Sequence, residues 1–158
     1  MFNEERTFVA LKPDAVKRGL IGEILLRFER KGYKIIGLKL LNVTEEMAAK
    51  HYEEHYGKPF YKRLITYITS GPVVAMVVKG YDAIHGVRQI LGTTNPSNAD
   101  VGTIRADFAQ LMEFNVIHGS DSTQSAEREI AIYFSPDEIC DQWENMCELV
   151  VNEVQSLL

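Results

Sequence analysis

The run Asn115-Val116-Ile117-His118-Gly119-Ser120-Asp121-Ser122 sets a histidine at the end of a short apolar stretch and just ahead of a helix start. An imidazole has an ordinary pKa of about 6.5, so roughly three quarters of it is neutral at pH 7, with a lone pair free to attack an electrophile. Glu129, further along the helix that follows, supplies a carboxylate able to orient the ring and offset positive charge on it. The same residues also fit a buried histidine satisfied by backbone groups. Lys12, Arg88 and Arg105 each fall at the end of an expected element or beside a Gly/Thr-rich turn, positions from which side chains can converge on an anion or simply sit in solvent. Phosphoryl transfer needs that combination: an in-line nucleophile and positive charge around phosphate oxygens. No Gly-x-x-x-x-Gly-Lys-Ser/Thr loop and no Gly-rich loop with protein-kinase signatures occurs, so phosphate binding would fall to side chains. Acyl transfer by Ser120 with His118 as base is a rival chemistry, but the two are close in sequence and no Gly-x-Ser-x-Gly elbow frames the serine.

The elements that must position these groups follow from periodicity. Thr7 to Leu11 reads as a buried strand that Pro13 stops just after Lys12. Ile21, Ile24, Leu25 and Phe28 recur at helical spacing over about 20–31, with Gly32 as C-cap, and 34–42 alternates as a strand. Thr44 caps a helix that carries His51, Tyr52 and His55 until Gly57-Lys58-Pro59 breaks it. Phe60, Leu64 and Ile68 space a second helix, completing a helical hairpin that Ser70-Gly71-Pro72 ends. Val73 to Val78 is a central strand, and 82–91 a helix with Arg88 in its last turn. The loop from Gly92 to Gly102 is long enough to carry function or to be a plain spacer. A brief buried strand over 114–118 delivers His118, Gly119 permits a sharp turn, and Asp121 or Ser122 caps a helix to Tyr133. Ser135-Pro136-Asp137-Glu138 joins a capping box to a proline at the first helical position, which predicts a final helix running into the region of Trp143. Four strands separated by helices make a layered α/β or α+β fold whose strand order stays open.

At 158 residues with 46% hydrophobic content the chain suits one domain with a sizeable core. A net charge of −5 argues against nucleic acid as a main partner. Cys140 and Cys147 alone make neither a disulfide framework nor a zinc site, and fit two reduced thiols. The residues Met1-Phe2-Asn3-Glu4-Glu5-Arg6 lack the apolar core of a signal peptide and no apolar run approaches ~18 residues, so the expectation is a cytoplasmic protein with no membrane association.

The run from Asn115 to Ser122 resembles the active-site signature of the nucleoside diphosphate kinase family. Similar family patterns stand at Arg6-Thr7-Phe8-Val9-Ala10-Leu11-Lys12-Pro13-Asp14, Ser70-Gly71-Pro72-Val73-Val74-Ala75-Met76, Thr94-Asn95-Pro96 and Gly102-Thr103-Ile104-Arg105, in the family's order over about residues 5–135. The resemblance implies an α+β, ferredoxin-like βαββαβ sandwich: a four-stranded antiparallel sheet covered by helices. Residues 1–158 would form one such domain, with a C-terminal extension from about 135 used in packing or assembly.

It further implies transfer of the γ-phosphate of a nucleoside triphosphate to a nucleoside diphosphate, by a ping-pong route through a phosphohistidine on His118, with broad base specificity. In the family pattern Lys12, Arg88 and Arg105 become phosphate ligands, Thr94 adds a hydroxyl and His55 another donor. Glu129 and Ser120 position the ring and the leaving group, and Tyr52 acts with Lys12 near the transferred phosphate. Phe60 offers its aromatic face to any base; Leu64 and Met112 line the base slot and Asn115 bonds the ribose hydroxyls. Tyr52, Phe60 and Leu64 equally suit plain packing. Met112-Glu113 departs from the family pattern, which often has a small apolar residue and a glycine there. Mg²⁺ is implied to arrive on the nucleotide phosphates, with no assigned protein ligand, and Asp121 acts through water or as a helix cap. The long C-terminus implies a homohexamer, and the loop at Asn95-Pro96-Ser97 serves subunit contacts or catalysis. A protein that keeps the pocket without doing chemistry is the remaining rival, and the intact His118, Glu129, Lys12 and Arg105 stand against it.

Overall fold

In a computed structural model describing residues 3–157, the chain forms four strands, β1 Glu4–Leu11, β2 Lys34–Asn42, β3 Pro72–Tyr81 and β4 Ile117–Gly119. Around them lie the helices α1 Pro13–Lys17, α2 Ile21–Lys31, α3 Glu45–His51, α4 Tyr61–Ile68, α5 Ala83–Leu91, α6 Ile104–Phe108, α7 Thr123–Tyr133 and α8 Met146–Ser156. Met1 and Phe2, read above as part of a terminus without a leader, and Leu158, the end of the extension, lie outside the described residues. No helix among the described residues is long and apolar enough to cross a membrane.

The sheet order is β2-β3-β1-β4 with every neighbouring pair antiparallel, the arrangement of a ferredoxin-like α+β fold. Alternation along β1 explains why both faces are covered. Val9 and Leu11 pack with Val74, Met76 and Val78 of β3 against Ile24 and Phe28 of α2, Val87 and Leu91 of α5 and Ile104 of α6. Phe8 and Ala10 face the other way, with Ala75 and Val77, onto Ala48 of α3, Ile68 of α4 and Ile130 and Tyr133 of α7. A strand buried on both faces reads as a continuous apolar run, as β1 and β3 do.

Several sequence expectations are corrected. The strand expected over 114–118 occupies Ile117–Gly119, because Val116 stands at φ +63°, outside extended backbone, and Phe114 is exposed. Gly119 does not adopt a positive φ among the described glycines; a Cβ there would lie 2.9 Å from Leu91 Cδ2, so its small size lets α5 approach β4. Ser122 caps α7 by accepting from the Ser125 N–H, which leaves Asp121 outside the cap. His55 falls in a 3-10 turn after α3, not in the helix itself. Pro13 both stops β1 and opens the short α1, and Thr103 caps α6; neither helix was expected.

The final helix is displaced. The capping box of Ser135 and Glu138 forms, yet it holds a single 3-10 turn, Pro136–Glu138. Beyond it the Cys140 N–H bonds to the Ile36 carbonyl of β2 at 2.7 Å, and Asp141 pairs with Lys34 and Lys79 on the sheet. Those contacts carry the chain along the sheet, through a tight turn in which Trp143 N–H bonds to the Asp141 carbonyl, until a second capping box, Asn145 with Glu148, starts α8. Cys140 and Cys147 are both free and exposed.

Candidate active site

His118 is the middle residue of β4 and pairs with Ala10 of β1, which turns its side chain to the face shared by Phe8, α3 and α7. The backbone ahead of it is tightly specified. Ile117 N–H bonds to the Asn115 carbonyl at 2.7 Å, closing a three-residue turn about Val116, while Lys12 N–H holds the Val116 carbonyl at 2.8 Å. The Asp14 carboxylate accepts the Val116 N–H at 3.2 Å and the Tyr67 hydroxyl on its other oxygen. A β-branched residue at positive φ costs on the order of 1–3 kcal/mol, which these bonds and the complete burial of Val116 offset.

The ring of His118 bonds through Nε2 to Glu129 Oε1, leaving Nδ1 as the nitrogen available for attack. Its side chain keeps 27% of its surface exposed, while that of Glu129 keeps 3%. Glu129 Oε2 accepts the Ser120 hydroxyl at 2.8 Å. Ser120 is buried and its Oγ is given to Glu129 and the Phe8 carbonyl, so the serine–histidine contact that acyl transfer requires does not form.

His51 completes this cluster. Its ring lies 4.6 Å from that of His118, its Nε2 is 3.5 Å from the same Glu129 oxygen, and its Nδ1 is 3.1 Å from the Tyr133 hydroxyl. Burial, followed by the neighbouring positive charges, holds the His51 pKa well below the usual imidazole value, so this ring is neutral. One ligand atom from each of His51, His118 and Glu129 lies within 4.8 Å of the others. Those donors are already engaged with one another and with Ser120 and Tyr133, so the group is a hydrogen-bonded carboxylate cluster.

The cations converge on the mount of His118. Lys12 follows β1 with the parity of Phe8 and Ala10, and its Nζ donates to Asn115 Oδ1 at 2.7 Å. Burial, then the charge of Arg105, pulls its pKa down to about 8. Arg105 is buried, donating to the Gly92 carbonyl at 2.8 Å and the Ile117 carbonyl at 2.7 Å; burial and Arg88 lower it to about 10, so it stays charged. Arg88 donates to the Gly119 carbonyl at 3.2 Å. The two guanidinium groups thus hold the backbone oxygens on either side of His118.

A train of rings leads outward from the imidazole. His118 meets His51 at 4.6 Å, His51 meets Tyr52 at 4.6 Å, Tyr52 meets His55 at 6.3 Å and His55 meets Phe60 at 5.4 Å. The Tyr52 hydroxyl is pushed up to about 12 by burial first and the Glu129 charge second, so it remains a donor. Phe60 is partly exposed at the start of α4, with Leu64 one turn along and packed on the core. Asn115 is buried, with its amide spent between Lys12 and the Thr94 carbonyl at 3.0 Å. Thr94 itself is exposed. Met112 lies on an exposed turn, and among the described residues no hydrogen bond or ring contact joins it to the others. Asp121 is exposed, its carboxyl lowered chiefly by a hydrogen bond from Ser125.

Sequence reasoning missed His51 and Asp14. Ala48, His51, Tyr52 and His55 recur at helical spacing, a stripe that marks His51 as inward-facing. Nothing local in the sequence pairs Asp14 with a backbone N–H 102 residues away. A cavity of about 650 Å³ lined by Lys34, Lys79, Asp141, Trp143 and Glu148 is distant from this chemistry, beside β2 and β3.

The nucleoside diphosphate kinase family model matches residues 5–139. A nucleoside diphosphate kinase of Moorella thermoacetica is 60% identical over 135 residues, covering 85% of this chain and 97% of that one. The corresponding protein of Methanocaldococcus jannaschii is 58% identical over 139 residues, 88% of this chain and 99% of its own. The solved structure of a halophilic nucleoside diphosphate kinase from Halobacterium salinarum, in complex with CDP, superposes with a TM-score of 0.89 at 49% identity, covering 94% of this chain and 99% of that one.

Proposed function

The chain belongs to the nucleoside diphosphate kinase family, and from that premise we propose that it transfers phosphate in two half-reactions through His118, with little regard to the base. In the first, the Nδ1 lone pair attacks the γ-phosphorus of a nucleoside triphosphate; the bond from phosphorus to the β,γ-bridging oxygen breaks and the diphosphate leaves with the electron pair. In the second, a terminal oxygen of an acceptor diphosphate attacks the same phosphorus and the Nδ1–P bond breaks. The observation that carries this reading is the His118–Glu129 contact, which engages Nε2, leaves Nδ1 free and sets a carboxylate against the positive charge that the ring gains on phosphorylation.

Lys12, Arg88 and Arg105 supply fixed positive charge for the phosphate oxygens, and the Tyr52 hydroxyl donates to the oxygen being made or released. Thr94 and His55 add donors, Ser120 holds Glu129, Phe60 with Leu64 and Met112 receives the base, and Asn115 acts on the sugar or through Lys12. Stacking tolerates any base because each presents a π-face. Mg²⁺ would arrive with the nucleotide substrate and offset charge on its phosphates, with no protein ligand assigned. The same reading gives a cytoplasmic homohexamer, for which mass in solution is the test.

Incubation with γ-labelled ATP is expected to leave acid-labile, alkali-stable label on the wild type and none on His118→Ala. No label on the wild type would favour a nucleotide-binding scaffold, and label surviving on His118→Ala would move the nucleophile elsewhere.

A further inference from the structure

Glu129 is approached by more donors than orienting one imidazole requires. Its Oε1 is hydrogen-bonded to His118 Nε2 and stands 3.5 Å from His51 Nε2, and its Oε2 takes the Ser120 hydroxyl, so α3, β4 and α7 meet at one buried carboxylate. The far side of the His51 ring is fixed too, by the Tyr133 hydroxyl at 3.1 Å. Tyr133 is buried and keeps its proton, so it can donate to His51 Nδ1. A neutral imidazole then carries its single hydrogen on Nε2, the nitrogen 3.5 Å from Glu129 Oε1; the other tautomer would leave a lone pair nearest that carboxylate oxygen.

We infer that His51, with its tautomer set by Tyr133, is a positioning residue for phosphoryl transfer: its Nε2–H anchors Glu129 Oε1 so that Glu129 keeps the hydrogen of His118 on Nε2 and the lone pair on Nδ1. The inference rests on the phosphohistidine reading above and adds a residue to it. No proton leaves the chain in this role. The Tyr133, His51 and His118 hydrogens stay on their own atoms while the Nδ1–P bond forms and breaks. The path runs from α7 through α3 and back to α7, which ties the nucleophile's tautomer to the packing of both helices on the sheet.

The experiment compares single-turnover phosphorylation of the full chain by ATP for wild type, His51→Gln, His51→Leu and Tyr133→Phe, alongside ¹⁵N NMR of the His118 ring. Leucine fills the space without a donor, and phosphorylation is expected to slow roughly tenfold, the lower end of the worth of a buried hydrogen bond to a charged group, because the 3.5 Å contact is longer than a full bond. Glutamine places an amide N–H near the lost Nε2–H and is expected to recover most of the rate. Tyr133→Phe, the mildest change, is expected to slow wild type several-fold but to add little on the His51→Gln background, which has no tautomer to set. His118 is expected to shift toward the Nδ1–H tautomer in His51→Leu, a signature that loss of packing alone would not produce. Wild-type rates in both His51→Leu and Tyr133→Phe, or His51→Gln as slow as His51→Leu, would overturn the inference while the phosphohistidine stands. An unlabelled wild type would overturn both.

Discussion

Arg105 donates from Nη2 to the carbonyl oxygen of Ile117 at 2.7 Å, one residue before the nucleophile. Its Nη1 reaches the Gly92 carbonyl, and Arg88 takes the Gly119 carbonyl, so the free edge of β4 is closed by guanidinium groups in place of a fifth strand. A three-residue strand has few backbone bonds of its own. The cations proposed to meet phosphate are therefore also what keeps His118 in place.

Replacing that fork with a single ammonium separates the two duties. Arg105→Lys keeps the charge but cannot bond two carbonyls in fixed geometry, and is expected to lose about 2 kcal/mol of unfolding free energy in a urea titration. Phosphorylation should slow along with it. Stability within about 0.5 kcal/mol of wild type would show that the carbonyl bonds contribute little net energy.

Lys12 sets an alkaline limit on nucleotide binding. Its pKa is drawn down to about 8 by burial and Arg105, and a bound polyphosphate pulls it back up. The free chain thus carries the full charge below pH 8 and loses it above, while the complex stays protonated to higher pH. Affinity for ADP is expected to weaken as pH rises past about 8, with proton uptake on binding in that range, measured calorimetrically in buffers of differing ionisation enthalpy. Affinity flat to pH 9.5, with no uptake, would contradict it.

Val116 inverts the usual ranking of small residues. Alanine normally outranks glycine in stability, yet at φ +63° glycine alone is at ease. Val116→Gly and Val116→Ala both lose buried methyl groups, but the glycine variant is expected to be the more stable by about 1 kcal/mol. Thermal or urea unfolding of the pair decides this, and an alanine variant at least as stable would mean that the turn relaxes on substitution.

Glu129→Gln tests charge separately from shape. Glutamine can still accept from His118 but carries no charge to set against the phosphorylated ring, so phosphorylation is expected to slow on the order of a hundredfold with ADP affinity unchanged. Equal loss of rate and affinity would assign Glu129 to holding the pocket's shape.

Which parts were legible in the sequence follows from range. Strand periodicity located β1 and β3, because burial of both faces leaves long apolar runs, and β2 by its alternation, while the family resemblance supplied the arrangement that periodicity could not. His118 with Glu129 stood out as a nucleophile and an orienting carboxylate, while Lys12, Arg88 and Arg105, at element ends or beside turns, took their phosphate roles from the family resemblance. The displaced last helix was not legible. Two capping boxes stand within ten residues of each other and both form, and the bonds of Cys140 to Ile36 and of Asp141 to Lys34 and Lys79, more than sixty positions away, separate the 3-10 turn of the first from the helix of the second. Asp14 and Val116 were missed for the same reason, since the strained turn exists only once β1 and β4 are side by side.

The sheet order has a further effect on where this sequence is free to vary. Reactive groups crowd the β4 margin, whereas the tail past residue 139, where the family match stops, fastens to β2 and β3 through Cys140, Asp141 and the Lys34–Glu148 pair. Change in that appendage is screened from the imidazole by the width of two strands.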